Sequence, residues 1–179
     1  MFKIIALIVV IVLVIPVGSA LLLAAAKPDQ FRVERSTHIK ASPDEIFPLI
    51  NDYRRWRSWS PYENLDPEMK RTYSGENEGQ GAVYEWQGNN KIGQGRMEII
   101  ESTPPSKITM KLDMIKPMEG HNIVTYTLEP EGDSTKVTWA MEGSSNFVSK
   151  IFQVFVSMDG ICGSQFEEGL ANLKSVVEE

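Results

Sequence analysis

Cysteine and histidine are scarce in this chain, and their scarcity excludes several kinds of site. Cys162 is the single cysteine, so no disulfide can form within one chain. The two histidines, His38 and His121, are far apart and together with one cysteine give no metal-ligand spacing. The sequence also lacks a nucleophile–base pair, a phosphate-binding loop and a dinucleotide fingerprint. It therefore predicts no metal and no cofactor, and it favours a binding module over an enzyme.

Charged side chains are missing from Ile4 to Ala26, a run of 23 residues. A helix of that length is about 34 Å long, against roughly 30 Å for the hydrocarbon core of a bilayer. A cleaved signal peptide is the alternative, because Ala24–Ala26 offers small residues at a cleavage point, but its apolar core is usually about 7–15 residues. The run predicts an uncleaved single-pass membrane anchor over residues 1–28. The short N-terminal tail weakly favours an extracytoplasmic domain.

The remaining residues, 29–179, are predicted to form one domain of ordinary size. The whole chain has a net charge of −6. Since Lys3 in the N-terminal tail is positive, the domain itself is acidic. An acidic domain binds nucleic acid and anionic surfaces poorly, so nucleic acid is not expected as a partner.

Apolar and polar side chains alternate along most of this domain, which is the period of a half-buried strand. The clearest run is Ile108, Met110, Leu112 and Met114, which alternate with polar residues. Turn signals, such as the glycines of 79–81, separate one run from the next. Short strands with tight links predict an antiparallel meander.

Two segments have helical character instead. Ser42-Pro43-Asp44-Glu45 combines a capping serine, a proline at the first helical position and a glutamate three residues after the cap. From about Phe147 onward the apolar period becomes helical. The predicted order is one strand, two short helices, six strands and one long helix, which is an α+β class. A curved sheet around that helix leaves a space in which a ligand could be held.

Several sequence segments, taken together, resemble one known superfamily. They are Ser42–Phe47, Trp56–Pro61, Gly79–Ala82 with Trp86, Gly93–Gly95, Val137–Trp139, Met158–Gly160 and Phe166–Leu170. The chain resembles the SRPBCC superfamily, which includes START lipid-transfer domains, the birch-pollen allergen group and polyketide cyclase/dehydrase-like proteins. It is most similar to bacterial polyketide-cyclase-like proteins that carry an N-terminal membrane helix.

The resemblance implies the helix-grip fold, with about seven strands around the C-terminal helix, and a hydrophobic pocket between them. It implies no catalytic motif, because members of the superfamily differ in activity and a fold does not fix a function. The expected ligand is a lipid, a quinone or a polyketide-like metabolite. The residues predicted to line the pocket are Trp56, Trp59, Tyr84, Trp86, Met97, Met110, Met114, Tyr126, Trp139, Met141, Phe155, Asp159 and Cys162.

Asp159 is the one candidate for catalysis, because it interrupts the apolar stripe of the C-terminal helix. A carboxyl group in an apolar pocket would have a raised pKa, which suits a general acid or base. The alternative is that Asp159 is paired with an arginine or a strand hydroxyl. Three functions follow: a membrane-anchored carrier of an apolar molecule, a cyclase or dehydratase that uses Asp159, and a protein-interaction module. The carrier is favoured.

Overall fold

The computed structural model describes residues 15–179 of the chain. Residues 15–26 are helical and lead into the first strand. No helix within residues 15–179 is both long and apolar enough to cross a membrane. The first part of the predicted anchor, residues 1–14, lies outside the described residues.

A seven-stranded antiparallel sheet forms the body of the domain, in the order β1-β7-β6-β5-β4-β3-β2. Its strands are β1 Gln30–Ile39, β2 Lys70–Gly75, β3 Ala82–Gln87, β4 Gln94–Thr103, β5 Lys107–Lys116, β6 Gly120–Glu131 and β7 Ser134–Ser144. The predicted curved antiparallel sheet is confirmed. The first strand pairs with the last, and β2 lies at the opposite edge.

Gly93-Gln94-Gly95, at the start of β4, marks a bulge. The register between β4 and β5 shifts between Gln94 and Gly95. The indole of Trp86 packs over Gly95 so closely that a Cβ there would overlap the ring. Glycine at this position therefore lets Trp86 lie flat on the concave face.

The first helix, α1 (Pro43–Asn51), begins at the predicted capping box, where the Ser42 amide donates to Glu45 Oε2 at 2.8 Å. Two short 3₁₀ helices follow, Tyr53–Ser58 and Pro61–Asn64. The indole N–H groups of Trp56 and Trp59 each donate to an α1 carbonyl at 2.9 Å. These bonds fix both aromatic rings beneath α1, so their polar atoms are satisfied although the rings are buried.

The C-terminal segment differs from the single long helix that its period predicts. It consists of α2 (Phe147–Phe155) and α3 (Met158–Glu178). Ser157 caps α3 by accepting a hydrogen bond from the Gly160 amide at 2.9 Å. A serine cap starts a new helix at this point, and the apolar pattern on either side conceals the break.

Helix α3 covers the concave face of the sheet and completes the core. Phe166, Leu170 and Leu173 are its buried contacts. The ring of Phe166 stacks on Trp139 of β7, with centroids 4.1 Å apart and planes at 11°. A Cβ at Gly169 would lie 2.7 Å from the same indole. Glycine at 169 therefore allows the helix to approach the sheet closely.

Candidate ligand-binding cavity

A cavity of about 300 Å³ lies between the concave face of the sheet and α3. Aromatic, methionine and aliphatic side chains form most of its wall. The lining residues are Trp56, Ser60, Tyr62, Glu63, Met69, Tyr84, Trp86, Lys91, Ile92, Met97, Leu112, Met114, Asn122, Val124, Trp139, Met141, Met158, Ile161, Cys162 and Phe166. Apolar walls with a few polar groups are typical of small-molecule sites. Methionines suit such walls because they adapt to irregular shapes.

One wall carries a buried polar cluster, formed by Glu63, Arg71 and Tyr84. Glu63 Oε2 accepts a hydrogen bond from Arg71 Nε at 2.6 Å, and Glu63 Oε1 accepts one from the Tyr84 hydroxyl at 2.6 Å. The Glu63 side chain is only 4% exposed and that of Arg71 is 13% exposed. A buried carboxylate is costly unless it is paired. The cluster therefore stabilises a charge pair at the edge of an apolar cavity.

The ionisation of this cluster follows from burial and proximity. Burial is the largest single effect on Arg71 and disfavours its charged form, but the hydrogen bond to Glu63 and the nearby charges, chiefly that of Glu63, together outweigh it, so the pKa of Arg71 is raised. Burial, together with the hydrogen bond to Glu63, raises the pKa of the Tyr84 hydroxyl. Tyr84 is therefore a neutral hydrogen-bond donor at physiological pH.

Two other polar atoms on the cavity-lining residues have no partner within the described structure. They are the hydroxyl of Ser60 and the indole N–H of Trp139, and both residues are at most 3% exposed. A buried polar group without a hydrogen bond costs about 1–3 kcal/mol. A polar group on a bound molecule could offset this cost.

Comparison with known proteins places the fold in a family. A family model described as polyketide cyclase/dehydrase and lipid transport matches residues 30–178. The chain belongs to this family. Membership in the polyketide cyclase/dehydrase and lipid transport family is consistent with binding of a hydrophobic molecule. No curated protein matches the chain.

Solved structures with the same fold are distant in sequence. An uncharacterised protein from Rhizobium leguminosarum has a TM-score of 0.61 at 15% identity, covering 83% of this chain and 95% of that chain. The Aha1 dimer from Colwellia psychrerythraea has a TM-score of 0.59 at 16% identity, with coverages of 83% and 96%. The ginseng major latex-like protein 151 from Panax ginseng has a TM-score of 0.58 at 13% identity, with coverages of 85% and 100%. At these identities the likeness extends to the fold alone.

The cavity of this polyketide cyclase/dehydrase and lipid transport family member contains many of the residues that the sequence indicates. The predicted residues that line it are Trp56, Tyr84, Trp86, Met97, Met114, Trp139, Met141 and Cys162. Trp59, Met110 and Tyr126 belong to the fully buried core and do not line the cavity. Phe155 was expected on the stripe facing the sheet, and that prediction is wrong, because Phe155 lies on α2 and is 74% exposed.

Asp159 also lies outside the cavity wall, so the raised pKa expected for a carboxyl group inside the pocket does not arise. Its Oδ1 accepts a hydrogen bond from Arg35 Nη1 at 2.7 Å, and Arg35 Nε donates to Glu167 Oε1 at 2.5 Å. The Asp159 side chain is 58% exposed. The hydrogen bond from Arg35 lowers the pKa of the Asp159 carboxyl. The alternative, an aspartate paired with an arginine, is confirmed, and Asp159 ties α3 to β1.

The sequence analysis does not predict the polar cluster of Glu63, Arg71 and Tyr84, although the sequence contains one signal for it. Arg71 shares the inward face of its strand with Met69 and Tyr73, by the period of two. A cation on a buried face requires a carboxylate partner. The distance between Arg71 and Glu63 does not follow from the sequence, because the conformation of the turn between them at 64–69 decides whether the two side chains meet.

Cys162 provides a direct probe of the cavity because it is the single cysteine and lines the wall. Burial, helped by the Asp159 charge, raises the pKa of its thiol to about 11. We expect alkylation by iodoacetamide at pH 8 to be on the order of 100-fold slower than for an ordinary cysteine, since only the thiolate reacts. The rate should rise about tenfold per pH unit up to that pKa. Mass spectrometry of the full chain, with the urea-unfolded chain as the reference, measures both effects. Equal rates for the folded and unfolded chains at pH 8 would contradict the prediction.

Proposed function

We propose that this protein is a membrane-anchored binding module for a hydrophobic small molecule, held between the sheet and α3. The observation that carries the proposal is the cavity of about 300 Å³ with its mainly apolar wall. Burial of apolar ligand surface contributes about 25 cal/mol per Å². Membership in a family described as including lipid transport supports the same conclusion.

The cavity also indicates which part of the ligand would be apolar and which part polar. Most of the wall would contact an apolar body such as an acyl chain, a prenyl chain or a polyketide-like ring system. Polar contacts are available from the Ser60 hydroxyl and the Trp139 indole N–H, which have no partner within the described structure, and from Asn122 and Lys91. Glu63 and Tyr84 are already bonded to each other. A lipid, quinone or polyketide-like molecule with one polar end fits this distribution better than a pure hydrocarbon does.

The membrane part of the proposal rests on the sequence. The uncharged run from Ile4 to Ala26 has the length of a single-pass span. It would hold the domain at the source of an apolar ligand, with the domain on the extracytoplasmic side. A tethered carrier has a high effective concentration at the bilayer surface.

An enzymatic function was the main alternative, and it depended on Asp159. That carboxylate is paired with Arg35, is largely exposed and does not line the cavity. A general acid or base must reach the bound substrate within hydrogen-bond distance. The position of Asp159 therefore does not support catalysis, and a binding function is the better supported of the two.

The test is native mass spectrometry of the full chain, extracted in detergent from its own host, with identification of any bound molecule. Val124 lines the cavity and Ile123, its neighbour on β6, is 40% exposed on the other face. We expect Val124→Phe to lose at least about tenfold in affinity, or roughly 1.4 kcal/mol, because the added ring fills the cavity. Ile123→Phe is the matched control and should retain the ligand. A wild-type chain that stays empty after incubation with host lipid extract would contradict the proposal.

A further inference from the structure

Helix α2 presents an apolar face to solvent. Phe155 is 74% exposed, Val148 69%, Phe147 50% and Phe152 46%. At about 100° per residue these four side chains fall within an arc of about 140° on one side of the helix. A contiguous exposed apolar surface on a small domain marks an interaction site.

The opposite side of α2 is polar, and it faces the domain. Lys150 is buried and its Nζ lies 2.5 Å from Asp29 Oδ1, while the Gln153 amide donates to the Ser145 hydroxyl at 2.9 Å. An ordinary amphipathic helix of a globular protein places its apolar face inward. In α2 this arrangement is reversed, so the apolar face is available to a partner.

The short distance in sequence between the uncharged run and α2 indicates what binds the apolar face of α2. The uncharged run ends at Ala26, three residues before Asp29. Asp29 is fixed beside α2 twice, through Lys150 and through its carbonyl, which accepts from the Ser145 amide at 2.7 Å. Three extended residues span at most about 11 Å. A membrane-inserted run would therefore hold α2 within about one helix diameter of the bilayer.

The part of the cavity wall formed by the start of α3 lies next to the same face, and we take it as the cavity mouth. Val156 and Ser157 connect α2 directly to α3, whose first turn supplies the cavity-lining residues Met158 and Ile161. Ile161 is also 43% exposed. The surface formed by α2 and this first turn therefore runs from the tether to the cavity wall.

We propose that the apolar face of α2 is a membrane-docking surface, which lies at the boundary between headgroups and acyl chains of the bilayer that holds the anchor. This inference rests on the membrane anchor of the proposed function. Helices with one strongly apolar face bind membranes in this orientation. Docking places the cavity mouth against the lipid, so an apolar ligand moves between bilayer and cavity without crossing water.

The test uses the full chain in phosphatidylcholine vesicles, with Cys162→Ser as the background and one new cysteine labelled with an environment-sensitive dye. Phe155→Cys places the dye on the docking surface. Asp133→Cys places it in the β6–β7 turn, at the other end of strands about 35 Å long. We expect the dye at 155 to shift to the blue and to lose most of its fluorescence to nitroxide-labelled acyl chains. The dye at 133 should remain water-like and unquenched.

Each other outcome overturns the inference in a recognisable way. A water-like dye at 155, in a chain that floats with the vesicles, means that the anchor holds but α2 does not dock. A shielded dye that nitroxide lipid fails to quench means that the N-terminal helix or a second copy of the chain covers the face. A chain that does not float with the vesicles contradicts both the membrane anchor and the docking of α2. Ligand retention in detergent, where no bilayer is present, still decides the cavity separately.

Discussion

Replacing Arg71 with methionine is expected to lower the free energy of unfolding by roughly 3–5 kcal/mol at neutral pH, because it leaves the buried Glu63 carboxylate without its cation. The Arg71 side chain is 13% exposed, and its Nε lies 2.6 Å from Oε2 of Glu63, whose side chain is 4% exposed. Urea unfolding of the full chain in mild detergent, followed by circular dichroism, measures the loss.

The loss in Arg71→Met should depend on pH. Without its cation the buried Glu63 carboxylate is an unpaired charge, and protonation removes that charge. The deficit relative to wild type should therefore be largest at neutral pH and shrink as pH falls. A deficit that is constant between pH 7 and pH 4 would contradict this account.

Two control variants separate the charge effect from a loss of packing. Adding Glu63→Gln to Arg71→Met removes the stranded charge and should recover part of the stability. Lys136→Met breaks an exposed pair in which Lys136 Nζ lies 3.5 Å from Glu129 Oε2. A surface pair of this kind contributes about 0–1 kcal/mol, so Lys136→Met should have little effect.

Replacing Trp139 with alanine is expected to cost about 3–5 kcal/mol, because the indole is 3% exposed and joins the sheet to α3. It stacks on Phe166 at 4.1 Å and packs against Tyr126 at 5.0 Å, measured between ring centroids. Urea unfolding of the same detergent-solubilised chain measures the cost. A cost under about 1 kcal/mol would show that the helix is held to the sheet by other contacts.

Trp139→Phe is the matched variant. It retains a ring for Phe166 to stack on and removes an indole N–H that has no partner among residues 15–179. The variant breaks no hydrogen bond of the folded protein, so the expected decrease in the free energy of unfolding is under about 1.5 kcal/mol. A ligand that accepts from this N–H would bind more weakly to Trp139→Phe while the fold stays intact, which distinguishes binding from stability.

Much of the fold could be predicted from the sequence because its signals are local. Alternation over Ile108–Met114 defines β5, and the capping box at Ser42 starts α1, since each depends on side chains a few residues apart. The same period places aromatic and methionine residues on one face of each strand, and their apolar character favours that face as the inner one. The cavity could be placed between sheet and helix once the helix-grip resemblance was recognised.

The failures concern features that the apolar period does not determine. The apolar stripe continues from Phe152 to Phe166, so its period alone hides the helix break at Ser157 and the outward turn of α2. Asp159 interrupts that stripe, but its partner Arg35 lies on β1. Glu63 likewise depends on Arg71 across a turn. The apolar period predicts which face of a helix or strand is apolar, whereas the partner of a charged side chain depends on the tertiary structure.

The pairing of β1 with β7 has a consequence for the order in which the protein is made. Val33 lies opposite Met141, 108 residues later in the chain. At about 5–20 residues per second, the ribosome needs roughly 5–20 s to supply that partner after β1 has been synthesised. During this interval β1 has no neighbouring strand. The first strand of the chain is therefore the last to gain its partner in the sheet. A truncation that removes β7 leaves β1 without a neighbouring strand.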